Sequence, residues 1–165
     1  MDSVAVLPGI ARVSDDLECD IAITDADGDS YTTVFNWKVN GADMGITAST
    51  LPAGNFAKND VVSCAVDADD GDYSSGFVVS ADNTIANTKP TVSSVALSPA
   101  APTTGDDITC SAVGADADGD TVTFTYEWTI DGVTAAETGS VLSSADFGKG
   151  QSITCLLYTS PSPRD

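Results

Sequence analysis

CDIAITDADGDSYTTVFNW, residues Cys19 to Trp37, decides the fold, because CSAVGADADGDTVTFTYEW, Cys110 to Trp128, repeats its plan 91 positions later (110−19). The acidic phrase Asp25 to Asp29 returns as Asp116 to Asp120, Trp37 as Trp128 and Cys64 as Cys155, all at that one offset with no gap. Val4, Pro8, Gly41, Leu51, Phe56 and Lys58 find Val95, Pro99, Gly132, Leu142, Phe147 and Lys149 in the same register. A period this long, shared by apolar and loop residues, reads as two copies of one domain in tandem.

Working outward, Leu17, Cys19, Ile21 and Ile23 alternate with Glu18 and Asp20, the pattern of a strand with one buried face. Tyr31, Thr33, Phe35, Trp37 and Val39 form the inward row of the next strand, matched by Val122, Phe124, Tyr126, Trp128 and Ile130. Asn40-Gly41 and Asp131-Gly132 close those strands with pairs that tolerate the positive φ of tight hairpins. Ser3 to Leu7 reads as a first strand and a short one lies near Ile46 to Leu51. Phe56 is placed at the bottom of the core, Val62, Cys64 and Val66 on another buried face, and Ser75 to Ile85 in a last strand.

Copy one therefore covers 1–87, and copy two covers 88–155 behind a short linker, Asn87 to Pro90. By the repeat, copy two should finish near position 177 (86+91), so it is read as incomplete, lacking its last strand. The tail CLLYTSPSPRD, Cys155 to Asp165, breaks the repeat and resembles translated read-through of a sequencing adapter, as found in assembled metagenomic reading frames. Residues 156–165 are accordingly set aside from fold reasoning, and Cys155 is claimed by both the repeat and the adapter.

Net charge is −19, from 25 acidic and 6 basic residues, which opposes binding to nucleic acid or to an anionic membrane surface. All the acids but Glu18, Glu127 and Glu137 are Asp, a bias toward turns and oxygen-ligand loops. No apolar run is long enough to span a membrane. The N-terminus, MDSVAVLPGIARVSDD, lacks the basic and apolar regions of an export signal, so the chain is read as an internal piece of a longer secreted protein. With no His, no Gly-rich phosphate loop and no nucleophile beside a base, the expectation is that it is not an enzyme.

Short strands, no helical periodicity, and Cys19, Trp37 and Cys64 in that order resemble the immunoglobulin-like β-sandwich. DADGD followed by a strand ending in Trp is also similar to the PKD-type and cadherin-like repeats of bacterial secreted and cell-surface proteins. After Trp37 the chain reads KVNG, where PKD repeats continue Asp-Phe-Gly-Asp-Gly. The fold class expected is all-β: two tandem immunoglobulin-like sandwiches, the second truncated.

On that resemblance Cys19 and Cys64 sit on facing strands and bridge the sheets against Trp37, as Cys110 and Cys155 do against Trp128. Closing a loop of that length stabilises by about 4 kcal/mol on the chain-entropy estimate. A metal site and free core thiols are the other readings of the four cysteines. The resemblance also brings Asp25, Asp27 and Asp29 opposite Asp67, Asp69, Asp70 and Asp72 at one end, with no Lys or Arg in either loop.

Two readings of those acids stand side by side. One is a Ca²⁺ site, with Asp116, Asp118 and Asp120 as its equivalent in copy two, turned toward the linker and stiffening the joint between adjacent repeats. The other is ordinary acidic turns. Function is expected to be structural: an adhesive or spacer module of a secreted or surface protein. The alternative is an accessory module that binds carbohydrate or an extracellular protein, for which Tyr73 and Phe77 are the exposed aromatic candidates in copy one.

Overall fold

The computed structural model describes residues 2–26 and 28–159. They form strands, turns and irregular loops with no helix, divided into two compact units, Met1–Thr88 and Lys89–Asp165. In unit 1, β1 (Ser3–Leu7), β2 (Leu17–Ala22) and β5 (Thr50–Leu51) make one antiparallel sheet in the order β1-β2-β5. The second is β4 (Ala42–Asp43), β3 (Thr32–Val39), β6 (Val61–Asp69) and β7 (Val78–Val79) in that order, with β8 (Asn83–Thr84) also on β6. Unit 2 repeats the layout. Its sheets are β9 (Thr91–Ser98), β10 (Ile108–Ala115) and β13 (Val141–Leu142), and β12 (Val133–Thr134), β11 (Phe124–Ile130) and β14 (Ile153–Thr159).

Alternation explains the layering. Leu17 and Cys19 are buried while Glu18 and Asp20 are exposed, so β2 offers one apolar face to the opposite sheet. Trp37 and Trp128 are wholly buried, each among the core residues of its own unit. Cys19 bonds to Cys64 and Cys110 to Cys155, each bridge crossing between sheets at Cα separations of 6.1 and 6.4 Å. Phe56 belongs to the unit 1 core, and Phe147 packs against that of unit 2. The hairpin pairs hold positive φ, 51° and 80° at Asn40 and Gly41, 50° and 80° at Asp131 and Gly132.

Three details differ from the expectation. Tyr31, assigned to the inward row, precedes β3 and is 45% exposed, because β2 of the opposite sheet has already ended at Ala22. The last strand of unit 1 is broken into β7 and β8. Ser80 donates its N–H to the Cys64 carbonyl while its hydroxyl accepts the Cys64 N–H, and it also bonds the Ala81 carbonyl, so the chain leaves the ladder between the two pieces. Finally, Leu156 to Thr159, set aside as tail, continue β14 past Cys155 and pair with Glu127 to Phe124. Leu157 turns inward and Tyr158 outward, with the Tyr158 hydroxyl donating to Glu127 at 3.2 Å. The rest of that tail lies outside the described residues. Among the described residues, β11 is the one strand that pairs with β14.

Candidate functional site

Each acidic loop is built by carboxylates folding back on their own backbone, which is what Asp does in turns. Asp25 Oδ1 accepts the N–H groups of Gly28 and Asp29 at 2.6 and 3.1 Å. The other loop of unit 1 does the same: Asp69 accepts the Gly71 N–H at 2.7 Å, and Asp70 accepts those of Tyr73 and Asp72 at 2.7 and 2.8 Å. The Tyr73 N–H, followed by that of Asp72, holds the Asp70 carboxyl below the usual carboxylate range. Asp67 is turned instead toward the Ser74 and Ser75 hydroxyls, at 2.8 and 3.3 Å.

The two loops meet across a cleft of about 200 Å³ whose walls include Asp25, Tyr31, Asp70, Tyr73 and Ser74. Tyr73 is 82% exposed and Phe77 also lies open. Tyr31 was missed as a surface residue; its place next to the acidic phrase, ahead of the strand, is the signal that pointed to it. Among the described residues of unit 1, Asp25, Asp29, Asp67, Asp69 and Asp72 supply no set of three carboxylates within reach of one ion. Asp27 lies outside the described residues.

Unit 2 arranges its acids more tightly. Asp116, Asp118 and Asp120 place one oxygen each within 4.8 Å of the others, and all three are half-buried. Asp116 Oδ1 accepts the N–H of Asp118 at 2.8 Å and of Asp120 at 3.3 Å. β10 runs to Ala115, directly before the first carboxylate, whereas β2 stops at Ala22, short of Asp25. A register shift between Val113 and Gly114 carries β10 that far, and the lack of a side chain at Gly114 admits the Phe124 ring, which a Cβ would approach to 2.9 Å. The three side chains offer part of the shell of about six to eight oxygens that Ca²⁺ takes.

The resolved shifts at Asp43, Asp70, Asp106 and Asp131 are all downward, caused first by backbone N–H donors. That is the reverse of what a proton-donating catalytic acid requires. No protein-family model matches the sequence, and comparison with curated proteins returns no match.

Proposed function

We propose that the chain is a pair of immunoglobulin-like repeats serving as a spacer in a secreted or cell-surface protein. The observation that carries this reading is the recurrence, at one offset, of a disulfide beside a buried indole in both units. Such a core favours stability without chemistry, and its sulfur bridges belong to an oxidising compartment. Among the described residues no helix is long and apolar enough to cross a membrane. Calcium taken by Asp116, Asp118 and Asp120 is part of the proposal, as reinforcement of unit 2.

A second reading, an accessory module for carbohydrate or an extracellular protein, is favoured by one observation: Tyr31 and Tyr73 stand open on a cleft with Asp25 and Asp70. One experiment separates the two. The oxidised chain is screened against immobilised glycans and extracellular matrix proteins. A spacer binds none saturably. Saturable binding that is abolished by Tyr73→Ala would replace the spacer reading with the accessory one.

A further inference from the structure

The hairpin turns after β3 and β11 are fastened by the same clasp with its polarity reversed. In unit 1 the Asn40 side chain takes the Val61 N–H on Oδ1 at 3.0 Å and gives its amide N–H to Asp60 Oδ1 at 2.8 Å. Asp60 Oδ2 accepts the Ala57 N–H at 2.7 Å. In unit 2 Asp131 Oδ1 takes the Ser152 N–H at 2.8 Å, and its Oδ2 accepts the Gln151 side-chain amide at 2.9 Å. Gln151 Oε1 accepts the Gly148 N–H at 2.7 Å.

The members correspond at the 91-residue offset: 131−40, 151−60 and 148−57. Each clasp is thus one amide and one carboxylate, with the amide on the hairpin in unit 1 and on the facing loop in unit 2. Two carboxylates could not replace either pair, because both are acceptors only and like charges repel. In unit 1 the clasp holds more than its own turn. The main-chain carbonyl of Asp60 accepts the Ile85 N–H at 2.9 Å, and Ile85 is 1% exposed in the core.

Asn40 is also followed by Gly41, the one Asn-Gly pair in the sequence. With no side chain on Gly41, its main-chain nitrogen is unshielded from the Asn40 Cγ. We infer that Asn40 is a site of spontaneous deamidation, held back by the Asp60 clasp, and that conversion there releases the clasp permanently.

The Gly41 nitrogen attacks Asn40 Cγ, and the new C–N bond closes a five-membered imide. The side-chain nitrogen departs as ammonia with the proton that Gly41 gives up. Water then opens the ring at either carbonyl, leaving an aspartyl or an isoaspartyl link at position 40. No oxidant or reductant takes part. Ring closure requires the side chain to leave Val61 and Asp60, so the bonds that hold it set the rate. After hydrolysis a carboxylate at position 40 faces the Asp60 carboxylate, whereas unit 2 pairs its hairpin carboxylate with the Gln151 amide. Asp131 has no amide to lose. This goes beyond the spacer reading and does not rest on it.

The test incubates the oxidised full chain in mildly alkaline buffer and follows the Asn40 peptide by mass spectrometry. Asp60→Ala should speed the conversion about fivefold, the factor set by one lost hydrogen bond. Asn40→Asp stands in for the aspartyl product and should lower the melting temperature of unit 1 by about 5 °C. Asn40→Asp with Asp60→Gln, the unit 2 combination, should restore it. Conversion no faster in Asp60→Ala than in the parent chain overturns the proposal. So does an Asn40→Asp variant that melts with the parent, or a double variant no more stable than that single one.

Discussion

The indole N–H of Trp37 donates to the main-chain carbonyl of Ala48 at 2.9 Å, so the largest core side chain also ties down the segment that leads to the edge strand β5. Trp128 makes the same bond to Gly139 at 2.8 Å. Trp37→Phe removes the donor and leaves a gap. The lost bond costs about 1 kcal/mol and the gap about 1 kcal/mol more, so equilibrium denaturation should report a loss of about 2 kcal/mol in unit 1. Trp128→Phe should do the same in unit 2.

The bridges should differ in accessibility. Cys19, Cys64 and Cys110 are nearly sealed, while Cys155 is half-buried on β14. Brief treatment with a water-soluble reductant, then alkylation and mass spectrometry, should label Cys110 and Cys155 before Cys19 and Cys64. Removing the unit 1 bridge by Cys19→Ala with Cys64→Ala should lower stability by about 4 kcal/mol, read from the denaturation midpoint.

Acid should act on unit 2 through Asp131, whose carboxylate accepts the Ser152 N–H at 2.8 Å and the Gln151 side-chain amide at 2.9 Å. The Ser152 N–H, then Gln151, lowers its pKa from 3.8. A lowered folded-state pKa gives stability that is present above about 3.8 and is lost as pH falls through the still lower folded value. Asp131→Asn is a clean probe, since unit 1 carries Asn40 there and its side-chain oxygen accepts the Val61 N–H at 3.0 Å. Melting curves from neutral pH downward should show a shallower acid slope for the variant, with the difference confined to strongly acid solution.

Calcium should raise the melting temperature of unit 2 through Asp116, Asp118 and Asp120. At an affinity near 1 mM, as in extracellular modules, 5 mM Ca²⁺ stabilises by about 1 kcal/mol. Asp118→Asn should abolish the shift, and an unchanged midpoint with and without chelator in the parent chain would remove calcium from the account.

What the sequence made legible was whatever recurs. Cys19, Trp37, Cys64 and the Asn40-Gly41 turn were placed correctly because a residue seen twice at one offset has its role defined twice. The same offset held a signal that went unread: Asp16 accepts the Ala53 N–H at 2.8 Å and Asp107 the Ser144 N–H at 2.7 Å, an identical clasp in each unit. What was illegible depends on tertiary choices that no periodicity encodes. The Ser80 hydroxyl replaces a ladder bond and splits a strand that alternation drew as continuous. Tyr31 continues the inward pattern, yet the opposite sheet has ended by then. The closeness of Asp116, Asp118 and Asp120 goes with Asp116 Oδ1 accepting the N–H of both the others directly after β10, whereas the matching acids of unit 1 follow a shorter strand.

The sulfur bridges also set how far the molecule can be stretched. Each joins residues 45 apart in sequence. At roughly 3.5 Å per extended residue, each withholds about 150 Å of contour length from any pulling force. A tether made of such units would yield by short steps under flow or shear, and its full reach would open only to a reductant.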